Sequence, residues 1–164
     1  RSKCGAVMQD GFIFTDTIEN NVTLNAGTEN YNKLLKAIDL VNLNGLVESL
    51  PMKLKTKIGS EGHGLSQGQK QRILIARAIY KNPEFIMFDE ATNSLDAENE
   101  RIIINNLDEY FKGKTMLVCA HRLSTIKNAD LIVVIESGKV SEFGNHEELV
   151  NLKGRYLELI KNQL

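Results

Sequence analysis

Two stretches carry residue types that could do chemistry: Leu65-Ser66-Gln67-Gly68-Gln69-Lys70-Gln71-Arg72 and Phe85-Ile86-Met87-Phe88-Asp89-Glu90. The first reads as a loop with a backbone-accessible glycine running into a helix. The second is an apolar, strand-sized run that ends in two acids. Free amides and the positive dipole end at a helix start favour an anion. Acids at the carboxyl end of a strand sit where open α/β sheets collect ligands. In this order the two stretches would present amides to a phosphate and carboxylates to its metal. Taken singly, each also fits something plainer, a Ser-capped helix in one case and a polar turn in the other.

The elements that must position these residues are legible as patterns. An opening strand runs to about Met8 and hands over to Gln9-Asp10. From Thr15 to Val47 the pattern is helical, with Leu34, Leu35, Ile38 and Val41 at three-to-four-residue spacing. Pro51 and the glycine-rich run from Gly59 to Gly64 form an irregular approach to Ser66. A helix from about Gln67 to Tyr80 stops at Asn82-Pro83, because proline biases its predecessor away from helical geometry. Phe85 to Phe88 lacks alternation, which predicts a strand buried on both faces. Asp96 can cap the next helix, whose inner face would carry Ile103, Leu107 and Tyr110. Thr115 to Ala120 reads as a second buried strand. Leu131 to Ile135, the turn Ser137-Gly138-Lys139, and Val140 to Phe143 read as a hairpin. Two closing helices follow, from about His146 and Tyr156. Strands alternating with helices indicate an α/β layered domain with a mostly parallel sheet.

Composition narrows the classes further. The 164 residues suffice for one domain with a real core. Twenty basic residues against 21 acidic ones give a net charge of -1, so bulk electrostatics do not point to nucleic acid. The longest apolar runs are strand-sized, too short for a membrane-spanning helix. Cys4 and Cys119 lack metal-ligand spacing and sit in strand-like contexts, which predicts two buried, reduced thiols. Gly113-Lys114-Thr115 mimics the end of a phosphate loop, but Asp108 stands where the first glycine belongs. His146-Glu147-Glu148-Leu149-Val150 lacks the second histidine of a zinc protease helix. The opening residues look like a strand already in progress, so the chain is expected to be a C-terminal piece of something longer.

Leu65-Ser66-x-Gly68-Gln69 resembles the signature loop of the ATP-binding cassette (ABC) ATPases, and the run into Asp89-Glu90 resembles their Walker B strand. Gln67 departs from the more common glycine at its position. The resemblance covers essentially all of the chain. It implies a P-loop NTPase-like layered domain with a mostly parallel sheet plus an α-helical subdomain, truncated before the Walker A strand and loop. Residues from about 15 to 80 would form the helical subdomain with its signature loop, and 1–14 with 81–164 part of the RecA-like core.

Roles follow from the same resemblance. Asp89 would sit in the magnesium shell, and Glu90 would polarise the water that attacks the γ-phosphate of ATP. His121, in Ala120-His121-Arg122-Leu123, matches the switch histidine that contacts the γ-phosphate. Gln9 matches the residue that reaches metal and water. Ser66, Gly68 and Gln69 would contact nucleotide held by a second nucleotide-binding domain, forming a dimer across ATP. Asp96, in Asn93-Ser94-Leu95-Asp96, matches the loop that communicates across that dimer. Gly11 to Asn21 resembles the surface that meets the transmembrane domain of the same transporter. No nucleic-acid partner is implied. The implied location is the cytoplasmic face of a membrane.

No Gly-x-x-x-x-Gly-Lys followed by Ser or Thr occurs in these residues. The chain alone is therefore expected neither to bind ATP tightly nor to hydrolyse it. The run from Met8 to Ile18 and the ending Gly144 to Leu149 are similar to exporters, most of all to peptide or bacteriocin exporters. A lipid or drug exporter is the alternative. An ABC ATPase of DNA repair would need a long coiled coil between Gln9 and Leu65, and sustained heptads are absent there. A decayed regulatory half-site is the third reading, and the intact Glu90 and His121 speak against it.

Overall fold

A computed structural model describes residues 3–24, 30–60, 62–119, 122 and 126–161. The chain divides into two compact units, Arg1–Cys119 and Ala120–Leu164.

The first unit is built on a three-stranded sheet of β1 (Cys4–Val7), β4 (Phe85–Asp89) and β5 (Thr115–Cys119), in the order β1-β4-β5. Both pairings are parallel: Val7 faces Phe88, and Asp89 faces Cys119. Parallel neighbours need long crossovers, and helices supply them here. Between β1 and β4 come the two-residue strand β2 (Asp16–Thr17), α1 (Ile18–Thr23), α2 (Tyr31–Leu40), α3 (Asn44–Ser49), a short 3-10 turn, β3 (Lys57–Ile58) and α4 (Gln67–Tyr80). α5 (Ala97–Tyr110) connects β4 to β5. The fold is thus mixed α/β, with a parallel core sheet and a helical segment, as expected.

One apolar core joins these layers. Ile18, Leu34, Ile38, Leu43, Ile73, Ile75, Ile103 and Leu107 are completely or almost completely buried together with Val7, Ile86 and Phe88 of the sheet. α4 stops where the sequence predicts: Asn82 takes a left-handed φ of 53° ahead of Pro83. Its Oδ1 accepts from the Tyr110 hydroxyl at 3.0 Å and from Lys114 Nζ at 2.7 Å.

Four expectations need correction. β4 and β5 are not buried on both faces. Phe85 and Met87 are exposed while Ile86 and Phe88 are buried, and β5 alternates exposed with half-buried residues. An apolar run reads the same whether one face or two are covered, so periodicity alone misjudged it. Cys4 and Cys119 are consequently exposed, because both belong to the open face. Leu35 is exposed beside buried Leu34 and Ile38. The stretch from Thr15 to Val47 is not continuously helical. It starts with β2, which pairs antiparallel with β3.

The second unit contains the hairpin of β6 (Ile132–Glu136) and β7 (Lys139–Gly144), then α6 (His146–Leu152) and α7 (Arg155–Lys161). Ser137 and Gly138 have φ of 50° and 75°, the paired positive angles of a tight two-residue hairpin turn. Ile132, Val134, Leu149, Tyr156 and Ile160 form its core. Asn145 and Glu148 cap α6 reciprocally.

Candidate functional site

The parallel register decides what can meet at one rim. Val7, Phe88–Asp89 and Cys119 are the last residues of three strands that all run the same way. Gln9 leaves that rim two residues beyond β1, and Asp89 and Glu90 stand at the end of β4. His121 follows β5 in the sequence but lies outside the described residues.

Gln9 is exposed, whereas Asp89 and Glu90 are half-buried. Glu90 has a left-handed φ of 49°. For a side chain of this size that geometry costs on the order of 1 kcal/mol or more, so its surroundings must enforce it. They do so at both ends. The Glu90 amide donates to the Cys119 carbonyl at 3.0 Å, and its carbonyl accepts from the Asn93 amide at 3.2 Å. Its carboxylate Oε2 accepts from Asn93 Nδ2 at 2.8 Å. The turn beyond it is anchored by buried Ala91, Thr92 and Leu95. Thr92 Oγ1 donates to Glu100 Oε1 at 2.8 Å within that buried layer.

A second group of predicted residues gathers at the start of α4. Ser66 is its N-cap and forms a capping box with Gln69: the Gln69 amide donates to Ser66 Oγ at 3.2 Å, and the Ser66 amide to Gln69 Oε1 at 2.9 Å. Lys70 donates to the Ser66 carbonyl. This first turn is the positive end of a 14-residue helix, where backbone amides point out of the helix.

Gly68 packs against the turn after β4. A Cβ there would lie 3.1 Å from the Ser94 carbonyl oxygen. Asp96 caps α5 from the same turn, with Oδ1 accepting from the Asn99 amide at 2.9 Å and Oδ2 from Asn99 Nδ2 at 2.7 Å. Those bonds, with a smaller pull from Arg72, hold the Asp96 carboxyl below its ordinary value. Asn99 Oδ1 in turn accepts from Arg72 Nη1 at 3.2 Å and from Asn42 Nδ2 at 2.9 Å. Arg72 Nη1 also reaches the Asn42 carbonyl at 2.7 Å. Burial lowers the Arg72 pKa, against an opposing pull from Asp96.

The predicted residues therefore fall into two groups joined by one turn. Gln9, Asp89 and Glu90 stand at the rim, while Ser66, Gly68, Gln69 and Asp96 surround the first turn of α4. Sequence reasoning missed Asn93, Asn99, Arg72 and Asn42, which hold that arrangement. Only Asn99 had a local signal, three residues beyond a helix-capping Asp96.

The donor set suits magnesium with nucleotide phosphate. Gln9 and Asp89, both at the rim, offer hard oxygen donors of the kind magnesium takes. Magnesium is commonly held by one or two carboxylates plus phosphate oxygens and water, not by a full protein cage.

The chain is a parallel α/β domain with Asp89 and Glu90 at the sheet's rim and the capped first turn of α4 packed on the turn that follows them. The family model described as "ABC transporter" matches residues 1–93, and the chain belongs to that family. It is 46% identical over its whole length to ABC transporter B family member 4 of Dictyostelium discoideum. It is 45% identical over 99% of its length to P-glycoprotein 14 of Caenorhabditis elegans, and 43% over 99% to ABC-type transporter MDR1 of Aureobasidium melanogenum. A solved bacterial Atm1-family ABC exporter with ATP bound superposes with a TM-score of 0.93 at 34% identity, covering 99% of this chain and 29% of the exporter chain. The chain spans only 12 to 21% of the three curated relatives named here. The P-loop NTPase-like ABC fold is thus present in part relative to those proteins.

Proposed function

We propose that this chain is part of the nucleotide-binding domain of an ABC exporter, where ATP binding and hydrolysis drive transport across a membrane. The observation that carries the reading is the shared rim: parallel β1, β4 and β5 end together, and Glu90 is forced into a left-handed turn immediately after Asp89. Asp89 and Gln9 would hold magnesium, which compensates phosphate charge when bound. Glu90 would accept a proton from the attacking water, and His121 would contact the γ-phosphate. Phosphoryl transfer depends on positioning and charge compensation more than on covalent chemistry, which suits this division. Ser66, Gly68 and Gln69 would face nucleotide on a second nucleotide-binding domain, with Asp96 beside that contact. The membrane part of the transporter would meet the segment after Gln9.

The relatives move the cargo reading away from peptides. Those named above carry the names P-glycoprotein 14 and ABC-type transporter MDR1, and none is named for a peptide or bacteriocin. A lipid or drug exporter is the better supported alternative.

Glu90→Gln in the complete protein tests the catalytic reading. It removes the general base while keeping an acceptor for Asn93, so hydrolysis should fall about 100-fold or more with ATP still bound. Undiminished turnover would refute it.

A further inference from the structure

Arg77 lies in the last turn of α4, at the end opposite Ser66. Its half-buried guanidinium points all its observed hydrogen bonds at the segment that follows Gln9. Nε donates to the Asn21 carbonyl at 2.7 Å, Nη1 to the Phe12 carbonyl at 2.9 Å, and Nη2 to Asn21 Oδ1 at 3.2 Å. Its Cζ stands 5.3 Å from the centre of the Phe14 ring, within cation–π range.

Asn21 is completely buried and grips the same segment. Its Nδ2 donates to the carbonyls of Phe14 at 2.9 Å and Thr17 at 3.0 Å, and its Oδ1 accepts from the Phe14 amide at 2.8 Å. Gly11 brings the segment onto α4 itself, since a Cβ there would sit 2.2 Å from Leu74 Cδ1. The backbone from Gly11 to Thr17 is thus fixed by α1 and α4 together. Its aromatic rings are not covered. Phe12 and Phe14 meet edge to face with centroids 5.2 Å apart, and they are 68% and 47% exposed.

An arginine used only to fill space would be a poor choice, because half-burying its charge carries a desolvation cost. The planar fork is what the site uses: three donors reach three oxygens on two residues, which lysine cannot reproduce. We propose that Arg77 is a positioning residue that ties the exposed Phe12–Phe14 pair to the end of α4 remote from its nucleotide-facing first turn. The helix, about 20 Å long by its rise per residue, then moves both ends as one rigid element. This rests on the reading of the chain as the ATP-hydrolysing part of a transporter.

The test uses the complete protein in lipid vesicles, with Cys4 and Cys119 replaced by serine and a spin label on Thr15→Cys, an exposed position in the same segment that leaves both rings in place. Magnesium-ATP should shift the label's spectrum when Arg77 is present. Arg77→Gln should shrink that shift about fivefold or more without changing the KM for ATP or the rate of hydrolysis. Arg77→Lys should restore part of it. A full-sized shift in Arg77→Gln, or a shift lost only in step with ATP binding, overturns the proposal. Should Arg77→Gln fail to fold, Phe14→Leu removes the ring beside the guanidinium and should diminish the same shift; an undiminished shift overturns it. Glu90→Gln, measured alongside, separates the two readings. Unimpaired hydrolysis there sinks the ATPase assignment, whereas a normal loss of hydrolysis with a label indifferent to Arg77 sinks only the positioning role.

Discussion

Gly68 lacks a side chain for a packing reason. Its φ lies outside the left-handed region, so another residue could adopt its backbone, but a Cβ would press on Ser94. The first turn of α4 is therefore seated directly on the turn that carries Asp96. Asp96 is the residue there whose charge matters to folding, because both its oxygens accept from Asn99. The Asn99 backbone bond, then its side-chain bond, hold the folded pKa below the ordinary value. The sign follows: the contribution is complete above about pH 4, near the unfolded carboxyl's own value. It is lost as pH falls through the lower folded value. Asparagine keeps one capping oxygen but sets an NH2 against the Asn99 side-chain amide where Oδ2 accepted, so Asp96→Asn should lower the urea midpoint near neutrality. The variant should then lose less stability than the parent on acidification. Equal losses would mean the carboxylate contributes nothing.

At the scale of elements, one amide side chain joins three of them. Asn99 in α5 receives Arg72 from α4 and Asn42 from the turn after α2, while bonding back to Asp96. Asn99→Ala would leave the half-buried Arg72 head with only the Asn42 carbonyl among the acceptors named here. A lost bond to a charged group with the partner left behind costs roughly 1–3 kcal/mol, and urea unfolding should show a loss of that size. A change near zero would show that water substitutes freely.

This network also marks what could be read in advance. The start and stop of α4, the hairpin turn and the acids ending β4 depend on neighbours within a few residues, and each is where its local spacing predicts. Asn99 with Asn42, or Arg77 with Asn21, are partners 57 and 56 residues apart, with no periodicity to announce them. Strand burial failed for the related reason that a residue's neighbours along the chain do not say what covers it. His121, read from its sequence context, lies outside the described residues.

At the scale of the whole molecule, each unit keeps one apolar face open. On the β1-β4-β5 sheet, Cys4, Phe85 and Thr115 lie in register as one exposed row, and Ala6, Met87 and Leu117 as the next. In the hairpin, Val133 pairs with Phe143 and Ile135 with Val140, all four exposed opposite buried Ile132 and Val134. Parallel sheets are stable when both faces are covered, and contiguous exposed apolar surface marks a place where another surface packs. Among the described residues, β1 and β5 each pair with a strand on one side only, so the sheet also has two edges. The 164-residue chain purified alone should therefore self-associate, its sedimentation coefficient rising with protein concentration. Met87→Lys with Leu117→Lys places two charges in the row of Ala6, Met87 and Leu117 without touching the buried face, so the double variant should sediment as a smaller species at equal concentration. A parent chain that stays monomeric throughout the range would show that these rows are too small or too well hydrated to drive association.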